Sequence, residues 1–218
     1  MGKTSFNIPM HKSRLFWLSL TAVLLLLIFV VAGFSGGASF AYDAGAIREL
    51  QEWRTHSPRL TMAMIGLTHL GSAQVTIGLG LLTALWLAMT GERRRGAILA
   101  GVTIGERLLV DGLKLTLDRA RPALDAHPVM THSSSFPSGH AGNTMTVFLA
   151  IALIAVPARW RREAAVLAVA LSVTIGLTRP YLGVHWPSDV LGGWALGATI
   201  AILAAHWANR VTASGAAQ

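Results

Sequence analysis

The sequence predicts an all-α, polytopic membrane protein of six transmembrane helices, with one active site at the extracytoplasmic end of the bundle. Two observations carry the fold class. Of 218 residues, 53% are hydrophobic and only 13% charged, against roughly a quarter charged in soluble proteins. The apolar residues also fall in long runs separated by short basic clusters, the pattern of spans joined by loops. A third observation places the site: the few polar clusters that interrupt the apolar runs fall on one side of the resulting topology.

Residues 15–34 form an uncharged run after Lys12 and Arg14, and twenty helical residues cover about 30 Å, the thickness of a bilayer core. A cleavable signal peptide would need an apolar stretch of only about 7–15 residues, so a retained helix is the better reading. The mixed segment 35–59 has room for a short amphipathic helix on the membrane surface. Residues 60–89 are too long for one span, and Gly71-Ser72 offers a break between a short interfacial or tilted helix and a span over 72–89. Basic residues 93–95 make the next turn. A third span starts at Gly96 and carries Glu106, Arg107, Asp111 and Lys114 in its second half. Further spans are expected over 141–156, 164–178 and 190–207. The chain is read as a single membrane-embedded domain over 1–218: a cytoplasmic segment 1–14, the bundle 15–207 and a short irregular tail 208–218.

Six spans put both termini on one side. Lys3, Lys12 and Arg14, then Arg93 to Arg95, then Arg159, Arg161 and Arg162, then Arg210 all share that side, which the positive-inside rule makes cytoplasmic. The loops around 119–140 and 179–189 then lie outside. The net charge of +8 is explained by these clusters; a nucleic-acid surface would need a basic stripe with interleaved aromatic residues, and none exists. The chain has no cysteine, which excludes disulfides, thiolate catalysis and cysteine-ligated metals.

The first polar cluster runs from Lys114 to Arg121-Pro122. At 100° per residue Arg107, Asp111, Lys114, Asp118 and Arg121 fall in an arc of roughly 80°, one charged face on a helix whose ionisable groups must look into protein or a wet cavity. A structural ladder of Arg107/Asp111 and Lys114/Asp118 pairs accounts for four of these charges and leaves Arg121 over. The second cluster, Pro137-Ser138-Gly139-His140, stands directly before an apolar run, where a helix amino terminus offers free N–H groups to an anion; an ordinary N-cap with an incidental histidine is the plainer alternative. His140 in the first turn can donate a proton to a bound group. The third cluster extends from Thr178-Arg179 to His185 and Asp189. Pro187 suits a first helical position, which places Asp189 in the first turn, within reach of His185; an interfacial histidine beside a capping aspartate is the plainer alternative. A carboxylate on one imidazole nitrogen fixes the tautomer and makes the other a better nucleophile. Together these residues suit a phosphoryl group: three cations for its oxygens, one histidine to attack and one to protonate the leaving oxygen.

The same motifs resemble those of the type 2 phosphatidic acid phosphatases. That family's signature is a lysine, six residues and Arg-Pro; a Pro-Ser-Gly-His; and a Ser-Arg, five residues, His, three residues, Asp. Lys114 and Arg121-Pro122, residues 137–140, and Arg179, His185 and Asp189 match it, with Thr178 where the family usually has serine. The resemblance implies a lipid phosphatase of the bacterial inner membrane in which His185 forms a phosphohistidine, Asp189 orients it, and His140 is the acid. Lys114, Arg121, Ser138, Gly139 and Arg179 would hold the phosphoryl group. It implies no metal and no other cofactor, and a lipid phosphate as the partner. Phosphatidic acid, phosphatidylglycerol phosphate, undecaprenyl pyrophosphate and phosphorylated lipid A all fit this set. Three other readings share its features. A lipid-phosphate or anion transporter would use the cations but not the His185/Asp189 pair. A vanadate-dependent haloperoxidase shares the anion site but is soluble, and a catalytically inactive regulator would not need every catalytic residue. His127 and His132 have no carboxylate at a supporting spacing and are expected to be solvated.

Overall fold

The computed structural model describes residues 38–123, 128–129 and 133–215, with scattered positions between 17 and 27. Secondary structure among the described residues is entirely helical. The first expected span is covered only at those scattered positions, all helical, and His127 and His132 lie outside the described residues.

Helix α1 (Ala38–His56) fills the mixed segment. Asp43, Ile47 and Leu50 share one face at helical spacing, with Asp43 and Ile47 buried and Tyr42 and Trp53 exposed. Helix α2 (Pro58–Thr68) begins on a proline and passes through a 3₁₀ turn, His69–Gly71, into α3 (Ala73–Met89). The two meet at a bend of 42°, at the Gly71-Ser72 break. The Ser72 hydroxyl accepts from the Val75 N–H, so the residue that ends one helix caps the next.

Helix α4 (Arg93–Leu117) starts at the basic turn, three residues before Gly96. It stops at Asp118, which adopts the left-handed conformation (φ 37°) and donates its N–H to the Lys114 carbonyl. Arg121 is therefore off the helix, and the continuous charged face expected through residue 121 does not exist. Half of the expected ladder forms: Arg107 and Asp111 pair at 2.9 Å. Lys114 turns to Ser134 and Ser133 instead of Asp118, because the helix unwinds before a fourth-residue neighbour is available.

Helix α5 (Gly139–Ile154), almost wholly buried, is the centre of the bundle and packs on α3, α4, α6 (Arg161–Tyr181) and α7 (Pro187–Gly215). Small residues allow this closeness. A Cβ on Gly197 would lie 2.6 Å from the Gly142 carbonyl oxygen, and one on Gly96 would lie 2.5 Å from that of Ala84. Helix α7 continues to Gly215, so most of the expected irregular tail is helical. Ala158–Tyr181 and Pro187–Val211 are each long and apolar enough to cross a membrane, and the bent α2–α3 pair is a third if taken as one span. The chain is an integral membrane protein.

Candidate active site

The carboxyl ends of α4 and α6 and the amino ends of α5 and α7 converge at one end of the bundle. Helix α6 ends in a Schellman arrangement. Gly183, at φ 72°, donates to the Pro180 carbonyl and Val184 to that of Arg179, at 3.0 and 3.1 Å. This turn reverses the chain and delivers His185 two residues later. Helix α7 then begins at Pro187. The Asp189 carboxylate reaches back to the Trp186 N–H at 2.8 Å, the bond a capping residue in the first turn makes.

The second and third clusters are joined directly. The Ser138 N–H donates to the Asp189 carbonyl at 3.0 Å, and Gly193 lets α7 approach, since a Cβ there would stand 2.6 Å from the Ser138 carbonyl oxygen. At the start of α5, the Asn143 amide, oriented by its acceptors, donates to both Glu106 oxygens and to the Gly139 carbonyl at 2.9–3.2 Å. The helix entrance is thus tied to α4 as well as to α7.

His185 is buried. Its Nε2 lies 3.1 Å from Arg121 Nη1. A guanidinium has no acceptor, so Nε2 must present a lone pair and Nδ1 must carry the proton. Nδ1 lies 3.4 Å from Asp189 Oδ2, longer than a good hydrogen bond. The same carboxylate accepts from Ser135 Oγ and from Arg119 Nη1, each at 2.5 Å. Burial, and then the charges of Arg121, Arg179 and Lys114, push the His185 imidazole well below its ordinary pKa of 6.5. That direction favours the neutral imidazole.

The cations surround this ring. Arg121 donates to the carbonyls of Val184 and Ser133 at 2.5 and 2.8 Å. Lys114 donates to the Ser134 carbonyl at 2.8 Å, and Arg179 to the Thr68 hydroxyl at 2.7 Å. His140 lies within electrostatic reach of Arg179, His185, Lys114 and Arg121. Its ring fits against the backbone at Gly71, where a Cβ would come within 3.0 Å of His140 Cδ2. Ser138 Oγ and Arg179 Nε are among several buried polar atoms of the described residues for which no hydrogen-bond partner is found. Buried polar atoms are nearly always paired, and both belong to the set expected to hold an anion.

All eight sequence-derived residues (Lys114, Arg121, Ser138, Gly139, His140, Arg179, His185 and Asp189) thus lie at this one end. Sequence reasoning missed Asp43, Thr68, Arg119 and Ser135. Asp43 had left a signal, a carboxylate on the apolar face of an amphipathic helix. Arg119 had left none, because helical spacing assigned its segment to a helix that ends two residues earlier. Among the described residues, no cluster of three or more histidine and carboxylate side chains has the arrangement of a metal site.

A PAP2 superfamily profile matches residues 95–213. The phosphatidylglycerophosphatase B of Bacillus subtilis is 34% identical over 146 residues, covering 64% of this chain and 71% of that protein. A lipid A 1-phosphatase of Rhizobium johnstonii is 36% identical over half of this chain and 46% of its own length. The crystal structure of the Bacillus subtilis transmembrane PAP2-type phosphatidylglycerolphosphate phosphatase superposes with a TM-score of 0.80 at 28% identity, over 88% of this chain and 96% of that one.

Proposed function

The chain belongs to the PAP2 superfamily, and from that premise we propose that it is a membrane lipid phosphatase working through a phosphohistidine on His185. The observation that carries this reading is the orientation of His185, with its Nε2 lone pair among the cations and its Nδ1 proton facing buried Asp189.

In the proposed reaction, Lys114, Arg121 and Arg179 balance the charge on the phosphoryl oxygens, while Ser138 and the N–H groups at the start of α5 add hydrogen bonds. Nε2 attacks phosphorus and the bond to the lipid oxygen breaks, with the His140 proton passing to that oxygen. Asp189 stabilises the positive imidazole of the intermediate. Water then attacks the phosphohistidine, His140 accepts its proton, and inorganic phosphate leaves as the P–N bond breaks. The bound phosphate's own negative charge makes a protonated His140 affordable beside three cations.

The substrate is proposed to be a lipid bearing a phosphomonoester or pyrophosphate. Phosphate release from phosphatidic acid, phosphatidylglycerol phosphate, undecaprenyl pyrophosphate and lipid A, assayed in detergent with EDTA, tests the class. Release from at least one lipid, lost in His185→Ala, is expected. Binding without release from any of the four would favour a transporter.

The proposed topology has six spans, both termini in the cytoplasm and the site facing the periplasm. It is supported by the basic clusters at the amino ends of α4 and α6, opposite the ends that carry the site residues. Cysteines introduced at Ala126 and Ala158 in this cysteine-free chain can be labelled with an impermeant reagent. Labelling at 126 and not 158 in intact cells is expected; the reverse pattern would overturn the orientation.

A further inference from the structure

Behind Asp189, away from His185, lies a row of buried charges that the reaction described above leaves unused. Arg119 sits between two carboxylates. Its Nη1 donates to Asp189 Oδ1 at 2.5 Å, and its Nη2 donates to Asp43 Oδ2 at 2.9 Å. Asp43, Arg119 and Asp189 are 4%, 4% and 0% exposed. Ser188 closes the row: its hydroxyl and its N–H donate to the two Asp43 oxygens, at 2.5 and 3.1 Å, and Arg119 donates to the hydroxyl at 2.8 Å. The face of Trp186 lies 5.8 Å from the guanidinium. Asp43 belongs to α1, more than seventy residues away in sequence from Arg119 and farther still from Asp189.

A bidentate Arg119–Asp189 pair would satisfy Asp189 and neutralise it. Sharing the guanidinium with Asp43 leaves the row one negative charge in excess. It also keeps Asp189 Oδ2 turned to Ser135, the Trp186 N–H and His185. Buried charges interact strongly because the surroundings screen them little, so that excess is felt at the imidazole four residues from Asp189.

We propose that Asp43 and Arg119 are positioning residues for the reaction. Through Arg119, the surface helix α1 sets both the orientation of Asp189 and the share of negative charge it lends to His185. The proposal rests on the assignment of His185 and Asp189 made above. Asp43→Asn keeps the shape of the row and removes one charge; Arg119→Lys keeps a cation that cannot span two carboxylates.

The test is a double-mutant cycle on purified, folded protein with an aryl phosphate, measuring kcat and KM separately. Asp43→Asn should lower kcat about 10–100-fold with KM within about threefold, the signature of an interaction felt in the transition state. Placed on Asp189→Asn, it should cost less than about twofold more, because groups acting through one another are non-additive. Arg119→Lys should behave in the same way and decides the matter if Asp43→Asn does not fold. An unchanged kcat, or losses that multiply in the Asp189→Asn background, would overturn the proposal. Wild-type kcat in Asp189→Asn alone would overturn it too, but by removing the His185/Asp189 assignment beneath it.

Discussion

At one end of the bundle, Asp43, Arg119, Ser135 and Asp189 are buried and held by charge-assisted hydrogen bonds. Along the rest of its length α5 meets its neighbours through Met145, Leu149, Ala150 and Ile154, packed with Leu99 of α4 and with Ala201, Ala204 and Ala208 of α7. The first region is directional: each bond fixes an angle as well as a distance, and losing a partner strands a buried charge. The second is steric, and its small residues set how near two helices may come. In lipid, where apolar surface gains little from meeting other apolar surface, such packing holds helices by contact alone. The difference teaches that damage to the two regions should separate chemistry from stability.

The largest expected effect lies in the directional region. His140→Ala should lose most of the about 10²–10⁴-fold that general acid catalysis supplies on an alkyl phosphate, whose alkoxide leaves poorly without a proton. On an aryl phosphate the loss should be much smaller. kcat/KM on the two substrates measures it, and equal losses, with chemistry rate-limiting, would break the assignment of the acid.

A smaller effect is expected from Gly197→Ala in the packed region. Its methyl would meet the Gly142 carbonyl oxygen at 2.6 Å and Thr146 Oγ1 at 2.9 Å, and overpacking of this kind costs about 1–3 kcal/mol. The thermal midpoint in detergent should fall while kcat below that midpoint stays near wild type. A loss of kcat without a loss of stability would show that the two regions are not separable.

The smallest effect concerns His185 itself. Because burial and three cations hold its pKa below 6.5, the folded protein keeps it neutral where the unfolded chain begins to protonate. Its contribution to stability is therefore complete above about pH 6.5 and is lost as pH falls from there toward the folded pKa. Nitrogen NMR of histidine-labelled protein at pH 6.5 should show His185 neutral with its proton on Nδ1. A half-protonated ring at that pH would sharpen the comparison the other way, by showing the site to be wetter than its burial implies.

Much of this was legible in advance, for identifiable reasons. The Gly71-Ser72 break, the presence of a helix within 35–59 and the first-turn place of Asp189 follow from local rules about glycine, amphipathic spacing and proline. The residues that gather at the candidate site were readable because each of the three motifs is a short stretch of sequence. The end of α4 was not: Asp118 turns left-handed, and Arg119 and Arg121 beyond it bond to groups far away in sequence. The charged row behind Asp189 was hidden for the same reason, since Asp43 and Arg119 are joined only by folding. Helix α7 outran its hydropathy because the polar residues after Trp207 are compatible with helix even where they are not apolar.

The central claim is a covalent phosphate on His185, and it can be trapped. Wild-type protein mixed with a ³²P-labelled lipid phosphate and quenched in alkali within one turnover should carry label that is stable to base and released by mild acid, as an N-phosphate is. The label should map to the peptide containing residue 185, be absent from His185→Ala, and accumulate further in His140→Ala on an aryl substrate, where hydrolysis of the intermediate has lost its base. Turnover by wild type with no such label at any quench time, or equal labelling of His185→Ala, would contradict the account.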